Sequence, residues 1–220
     1  TKRLRKKARF GGGGGAFVIQ EYVEPLLLRS CKRRKFHVRA LVLCVGDLDV
    51  YLYRNARVLC ATTPWTNDDF ANRFKHITNL SVNESCKDYA LEEQNLDLGD
   101  LLDDEGCCMY HGIFEQMETA CRLLFTSLAS NAKRNQFFPL KNTYEMFGLD
   151  FAVNSEGQAL LLEANPEPSM TLFPESRGDR EVLVRGNPLY EDDGGWPQQK
   201  EQGYVKVYEK PAREDKEGAV

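Results

Sequence analysis

Residues 147–166 read FGLDFAVNSEGQALLLEANP, and this stretch decides the fold class. Two apolar runs flank the turn-forming group NSEG, and this pattern predicts a β-hairpin that ends at Pro166. Each predicted strand carries an acidic residue among apolar ones, Asp150 in the first and Glu163 in the second. A carboxylate inside an apolar strand is costly unless it is paired or coordinates a metal ion. The hairpin therefore predicts a site as well as a fold.

Alternation of side chains along a strand sets the faces of this hairpin. A turn centred on Ser155 and Glu156 puts Asp150 opposite Leu161. Glu163 and Asn165 then lie on the same face as Asp150. Two carboxylates and an amide oxygen suit Mg²⁺, which takes one or two carboxylates and leaves its other positions to water and phosphate. The alternative is an ordinary polar outer face.

A second hairpin is predicted earlier in the chain, from Phe36 to Arg54, with turn formers at residues 46–49. A turn centred on Asp47 and Leu48 puts Leu41 opposite Arg54. One face then gathers four basic side chains: Lys35, His37, Arg39 and Arg54. Like charges at this spacing repel one another unless an anion lies over them. Cations on one hairpin and oxygen ligands on the other describe a site for ATP phosphates with Mg²⁺. The alternative for this face is a solvated surface with coincidental cations.

The remaining pattern completes an α+β fold. Residues 113–129 place apolar side chains at helical spacing, and residues 16–23 predict a buried strand. Residues 62–112 are polar and irregular and predict a surface excursion, while residues 204–208 predict a late strand. Strand pairs with one helix between them favour a mixed domain.

Composition excludes several classes of protein. The chain has 220 residues, and 42% of them are apolar, which is too many for a disordered chain. The net charge of −4 makes nucleic acid binding by the whole surface unlikely, and we expect no transmembrane segment. Seven cysteines without a CxxC pair and three distant histidines argue against a disulfide scaffold and a zinc site. We expect reduced thiols in a cytosolic or nuclear protein.

Several motifs occur in an order that resembles the tubulin–tyrosine ligase family. They are FVIQEYV at 17–23 with PLLL at 25–28, KFHVR at 35–39, YLYR at 51–54, HITN at 76–79, FGLDF at 147–151 and LEANP at 162–166. The resemblance covers residues 16–173. It implies an ATP-grasp domain, with a mainly antiparallel sheet and packed helices, whose N-terminal part is incomplete in this chain.

The resemblance also implies a chemistry. Members of this family join an amino acid, such as tyrosine or glutamate, to a protein carboxylate, typically of tubulin, through an acyl phosphate made from ATP. The protein would be cytoplasmic, with ATP and Mg²⁺ as cofactors and tubulin or another acidic-tailed protein and a free amino acid as partners. The implied roles are as follows: Gln20, Glu21, Tyr22, Val23, Lys35 and His37 for the nucleotide; Arg39, Arg54 and Asn79 for phosphate and substrate; Asp150, Glu163 and Asn165 for Mg²⁺.

Two departures from the family pattern keep a non-catalytic alternative open. The family usually has Asp where His37 stands, and a lysine-bearing strand and a glycine-rich flap would be expected upstream of Gln20. A degenerate member that binds tubulin or another partner is therefore the alternative function. Residues 1–15 form a basic, glycine-rich leader, whose contact with RNA is a weaker hypothesis, and residues 174–220 form a polar tail.

Overall fold

The computed structural model describes residues 20–131, 137–173 and 204–209. Its seven strands form one sheet with antiparallel pairings throughout. The strands are β1 Phe36–Val45, β2 Asp49–Tyr53, β3 Arg57–Cys60, β4 Asn95–Asp97, β5 Tyr144–Val153, β6 Ala159–Pro166 and β7 Tyr204–Tyr208. The helices are α1 Arg73–His76, α2 Leu80–Asn83, α3 Leu91–Gln94 and α4 Tyr110–Asn131, with 3₁₀ turns at Leu98–Asp100 and Met170–Leu172. This α+β, ATP-grasp-like architecture confirms the predicted fold class.

Strand β1 is the centre of the sheet because it pairs along both edges. Its first half pairs with β3 and its second half with β2, while β5 covers the other edge along nearly its whole length. The sheet then extends from β5 to β6, from β3 to β4 and from β2 to β7. The two predicted hairpins are thus neighbours, joined through β1 and β5.

One face of the sheet packs on helix α4. Alternate residues of β1, among them Val38 and Val42, are fully buried against this helix. The helix contributes Ile113, Met117 and Cys121, which confirms the amphipathic helix predicted from their spacing. The other face of β1 carries His37 and Arg39, and Lys35 directly precedes the strand, so the sheet separates the core from the polar candidate site.

The turn of the first hairpin differs from the prediction by one residue. Val42 pairs with Leu52, which leaves a loop of residues 46–48 in which Gly46 adopts φ 57°. Because side chains alternate, a shift of one residue moves every side chain of β2 to the other face. The prediction that Arg54 shares the face of Arg39 is therefore wrong.

Three other regions also differ from the sequence expectations. Residues 20–23 are irregular rather than strand, and Tyr22 is 42% exposed, while residues 16–19 lie outside the described part. The excursion over 62–112 is more ordered than expected, since it contributes β4 and the buried Leu98 and Leu101. Strand β3 was not predicted at all. The leader and most of the tail lie outside the described residues, although the strand expected over 204–208 is present as β7.

The described part of the chain contains no helix long and apolar enough to cross a bilayer. None of the seven cysteines forms a disulfide.

Candidate functional site

Five charged residues form a row across five neighbouring strands on the face opposite helix α4. Each is the Cα partner of the next: Asp97 on β4, Arg57 on β3, Arg39 on β1, Asp150 on β5 and Glu163 on β6. Directly opposed residues on adjacent strands have neighbouring side chains, so the pairing register itself aligns these charges. The row brings together Arg39, Asp150 and Glu163, as the two hairpins predicted.

The centre of the row is an ion pair between Arg39 and Asp150. The Arg39 guanidinium donates from Nε to Oδ1 and from Nη2 to Oδ2, the second bond measuring 2.7 Å. Asp150 is only 5% exposed, so this pair is shielded from water. The hydrogen bond from Arg39 to Asp150 raises the pKa of the guanidinium, with a further contribution from the charge of Glu163. Arg39 is therefore a fixed cation beside two carboxylates.

Asn165 links the two carboxylates. Its side-chain amide donates to Glu163 Oε1 at 3.0 Å and lies 3.5 Å from Asp150 Oδ2. The predicted common face of Asp150, Glu163 and Asn165 is thus present, although the register differs. Asp150 pairs with Glu163 rather than with Leu161, because the pairing next to the turn, Val153 with Ala159, is shifted by one residue from the predicted register and a bulge between Asp150 and Phe151 adds a second.

The cluster offers oxygen ligands to a cation through Asp150 and Glu163, because the Asn165 amide turns its N–H toward both carboxylates. Within the described residues, no three His, Cys, Asp or Glu side chains are grouped to hold a metal, and the set here is instead two carboxylates and one amide. Glu163 is exposed, which leaves room beside it for water and phosphate oxygens. Few protein ligands and open positions are what Mg²⁺ prefers.

Gly148 makes space for Arg39 on the surface of β5. A methyl group at this position would lie 3.0 Å from Pro168 Cβ and 3.3 Å from Arg39 Cδ. The Arg39 side chain therefore passes over the backbone of Gly148, next to Asp150. Gly148 lies within the FGLDF motif, but nothing in that motif predicts a role for it.

His37 lies between this row and a cavity. The side chain is 7% exposed, and its Nδ1 is 2.6 Å from Thr78 Oγ1. Its Nε2 lies 3.6 Å from Asp150 Oδ1 and, within the described residues, has no hydrogen-bond partner. Burial lowers the pKa of His37 to about 4; the charge of Asp150 opposes this shift, and the charges of Arg39 and Lys35 add smaller lowering contributions. The imidazole is therefore neutral at pH 7, and the nearby carboxylate favours the tautomer with its proton on Nε2.

The cavity has a volume of about 220 Å³ and adjoins the row at His37. It is lined by the irregular linker, by the start of β1, by one residue of the excursion and by the apolar ends of β5 and β6. The lining residues are Gln20, Glu21, Tyr22, Val23, Pro25, Lys35, Phe36, His37, Thr78, Ala152, Val153 and Leu162. All six residues expected near the nucleotide line this cavity. Thr78 is an addition, and its only sequence signal was its place in HITN.

Arg54 and Asn79, which were also expected at the site, do not line the cavity. Arg54 lies on the helix side of the sheet, where the Tyr110 hydroxyl donates to the Arg54 carbonyl at 3.0 Å. Asn79 caps helix α2, since its side-chain oxygen accepts from the Ser81 backbone N–H at 2.9 Å. It follows directly after Thr78, so it is close to the cavity without lining it.

A second guanidinium on the site face belongs to Arg57, which no sequence pattern predicted. It is 6% exposed and donates to the Asn95 side chain at 2.9 Å and to Asp97 at 3.2 Å. Arg57 lies beside Arg39 only because β3 pairs with β1, and no sequence pattern predicted that strand. Each guanidinium has its own carboxylate, which offsets the repulsion between the two.

The sequence was also compared with known families and proteins. Residues 3–180 match the tubulin-tyrosine ligase family. A probable tubulin–tyrosine ligase of Saccharomyces cerevisiae is 32% identical over 185 residues, covering 80% of this chain and 23% of that protein.

Relatives named for other activities also match. Tubulin glycylase 3B of Tetrahymena thermophila is 29% identical over 164 residues, covering 70% of this chain and 13% of that protein. A probable tubulin polyglutamylase of Mus musculus is 28% identical over 163 residues, covering 70% of this chain and 34% of that protein. The chain thus spans about a third or less of the length of each of these relatives.

Proposed function

Because the chain belongs to the tubulin-tyrosine ligase family, we propose that its sheet binds ATP with Mg²⁺ and supports ligation of an amino acid to a protein carboxylate. The observation that carries this proposal is the position of His37. Its ring lines the apolar cavity and also approaches Asp150 in the charged row, so the two halves of the site are continuous. A nucleotide needs such a pair of environments, since its base is apolar and planar while its phosphates are anionic.

The cavity suits the nucleoside end. Val23, Ala152 and Leu162 supply apolar surface, and the linker residues Gln20 and Glu21 supply polar groups at its edge. Lys35 brings an ammonium group to the same wall. The neutral His37 donates from Nε2 to an acceptor oxygen of the ligand.

The charged row suits the phosphate end. Asp150, Glu163 and Asn165 would hold Mg²⁺, which supplies charge neutralisation for the phosphates when bound. ATP supplies the phosphoryl group that activates the carboxylate as an acyl phosphate, from which the amino group of the second substrate displaces phosphate. Arg39 remains fixed by Asp150 and presents its positive charge where negative charge develops on the transferred group.

The protein partner we propose is tubulin or another protein with an acidic tail, and the location is the cytoplasm. Relatives named as a probable tyrosine ligase, a glycylase and a probable polyglutamylase all match this chain, so they support the reaction class without selecting tyrosine, glutamate or glycine. A free amino acid is the third reactant in every case.

Calorimetry with Mg·ATP tests the proposal on the full chain. We expect saturable binding that requires Mg²⁺ and that weakens at least tenfold in Glu163→Gln. Glu156→Gln is the matched control because Glu156 is exposed in the turn between β5 and β6. Absence of saturable binding, or equal affinity of the Glu163 variant and wild type, would contradict the nucleotide site. Incorporation of a labelled amino acid into tubulin then tests the ligase step.

A non-catalytic binding role is the second candidate, and one observation favours it. Both carboxylate oxygens of Asp150 accept hydrogen bonds from Arg39, which leaves fewer lone pairs for a metal ion. A protein of this kind would bind tubulin without incorporating an amino acid and without a need for Mg·ATP. Cosedimentation with tubulin in the presence and absence of Mg·ATP separates the two functions.

A further inference from the structure

The hydroxyl of Tyr22 is the meeting point of three side chains from other parts of the chain. Lys35 Nζ donates to it at 3.2 Å and Trp65 Nε1 donates to it at 3.1 Å. An ammonium group and an indole N–H can only donate, so the Tyr22 oxygen accepts both bonds. The single hydroxyl proton is then directed to the third neighbour, His76 Nδ1, at 2.9 Å.

His76 confirms this direction independently. Its Nε2 lies 3.0 Å from the backbone carbonyl of Asp69, which can only accept. The ring proton is therefore on Nε2, and Nδ1 is free to accept from Tyr22. Phe70 stacks on the His76 ring at a centroid distance of 4.9 Å and meets the Tyr22 ring edge-on at 5.7 Å. The two hydrogen bonds of the imidazole, to Tyr22 and to Asp69, thus specify one tautomer, and the ring contacts hold its orientation.

The network ends at Lys35, on the wall of the cavity. The Lys35 ammonium lies 4.3 Å from the centroid of the Tyr22 ring, so a cation–π contact adds to the hydrogen bond. A lysine side chain is long and flexible, and its head group is hard to place without such contacts. Tyr22 itself belongs to the irregular linker, and its side chain connects the linker to the excursion.

We propose that Tyr22, Trp65 and His76 are positioning residues for Lys35, and that they hold its ammonium at the cavity for an anionic group of the ligand. This inference rests on the proposed nucleotide site, where the anionic group is a phosphate of ATP. Trp65 and His76 do not line the cavity and act through the Tyr22 hydroxyl. The excursion thereby contributes to the site without contacting the ligand at these two positions.

Two variants separate positioning from simple packing. Tyr22→Phe keeps the ring and the cation–π contact but removes the hydroxyl, and Trp65→Phe keeps an aromatic ring but removes the indole donor. Tyr144→Phe is the control for loss of a hydroxyl, because Tyr144 is 73% exposed at the far end of β5. Acetylation of Lys35 in the ligand-free protein, followed by mass spectrometry, measures how firmly the ammonium is held. We expect the labelling rate of Lys35 to rise at least threefold in both variants and to remain unchanged in Tyr144→Phe.

Calorimetry with Mg·ATP and with adenosine then measures the consequence for binding. We expect Tyr22→Phe to weaken ATP five- to tenfold and adenosine less than twofold, because adenosine lacks phosphates. In a Lys35→Met background, Tyr22→Phe should weaken ATP no further, since its effect passes through Lys35. A full additional loss in that background, or unchanged labelling in both variants, overturns the inference. Increased labelling with no ATP binding by the wild type overturns the proposed function and the ligand assignment, while the side-chain network stands.

Discussion

Arg39 and Asp150 are Cα partners on neighbouring strands, and the guanidinium of one donates to both carboxylate oxygens of the other. This pairing holds the proposed metal ligand in place before any cation arrives. It also means that a cation at Asp150 must share the carboxylate with Arg39. The same ion pair therefore affects both folding and ligand affinity, and variants on either side of it report on both.

Removal of Arg39 leaves a buried carboxylate without its partner. Breaking a buried ion pair from one side costs about 3–5 kcal/mol. We expect Arg39→Met to lower the free energy of unfolding by about that amount in urea titrations at pH 7. Lys32→Met is the matched control, because the Lys32–Glu93 pair is largely exposed and should contribute less than about 1 kcal/mol. Equal small losses in both variants would show that Asp150 is not shielded.

His37 predicts a dependence of stability on pH. Its pKa in the folded state is about 4, below the ordinary value of about 6.5, so the unfolded chain takes up a proton first as pH falls. As pH falls from 6.5 to 4, protonation of His37 in the unfolded chain should lower the free energy of unfolding by about 3 kcal/mol. Below pH 4 this histidine should cause no further loss. The measurement is the free energy of unfolding against pH for wild type and His37→Asn. The difference between the two curves isolates the imidazole, and a constant difference across this range would contradict the prediction.

Gly148 predicts a local effect on Arg39. The added methyl group of Gly148→Ala would crowd Pro168 and Arg39, and overpacking of this kind costs about 1–3 kcal/mol. We expect lower stability together with weaker Mg·ATP binding. Gly112→Ala is the matched control, since nothing lies within 4 Å of a methyl group there and alanine favours the helix. The prediction fails if Gly148→Ala has the same Mg·ATP affinity and the same free energy of unfolding as Gly112→Ala.

For Arg54, in contrast to Gly148, we expect a substitution to leave Mg·ATP binding nearly unchanged. It lies on the helix side of the sheet, so Arg54→Met should change Mg·ATP affinity less than twofold, while Arg39→Met should reduce it at least tenfold. Tyr110 and Glu118 are near Arg54, so its loss should appear in the unfolding free energy instead. A large drop in affinity for Arg54→Met at unchanged stability would restore it to the site.

The two hairpins show which parts of the site a sequence can predict. The apolar strands, their acidic residues and the turn formers were sufficient to predict that Asp150, Glu163 and Asn165 share a face. The predicted register was wrong in both hairpins, and the number of residues by which it was shifted decided whether the side chains stayed on the predicted face. A two-residue shift at Asp150 preserved the face, whereas a one-residue shift in the first hairpin moved Arg54 to the other side.

Features that depend on pairing between distant parts of the chain could not be predicted from the sequence. Arg57 reaches the row only because β3 pairs with the first half of β1, and β3 is a strand of four residues without clear alternation. Trp65 and His76 meet Tyr22 through an irregular segment whose path no periodicity describes. The role of Gly148 depends on a side chain from the neighbouring strand, which a single sequence cannot reveal.

The bulge in β6 divides the site face into two chemical halves. Below it, Asp150 pairs with Glu163; above it, Phe151 pairs with Leu161, which leaves Leu162 as the extra residue. Leu162 then reaches the cavity, although the neighbouring Glu163 belongs to the charged row. Loss of this one residue would restore a regular ladder in which Leu161 and Glu163 keep their present partners, but it would remove the β6 side chain that lines the cavity. One inserted residue thus lets a single strand contribute to both the charged row and the apolar cavity.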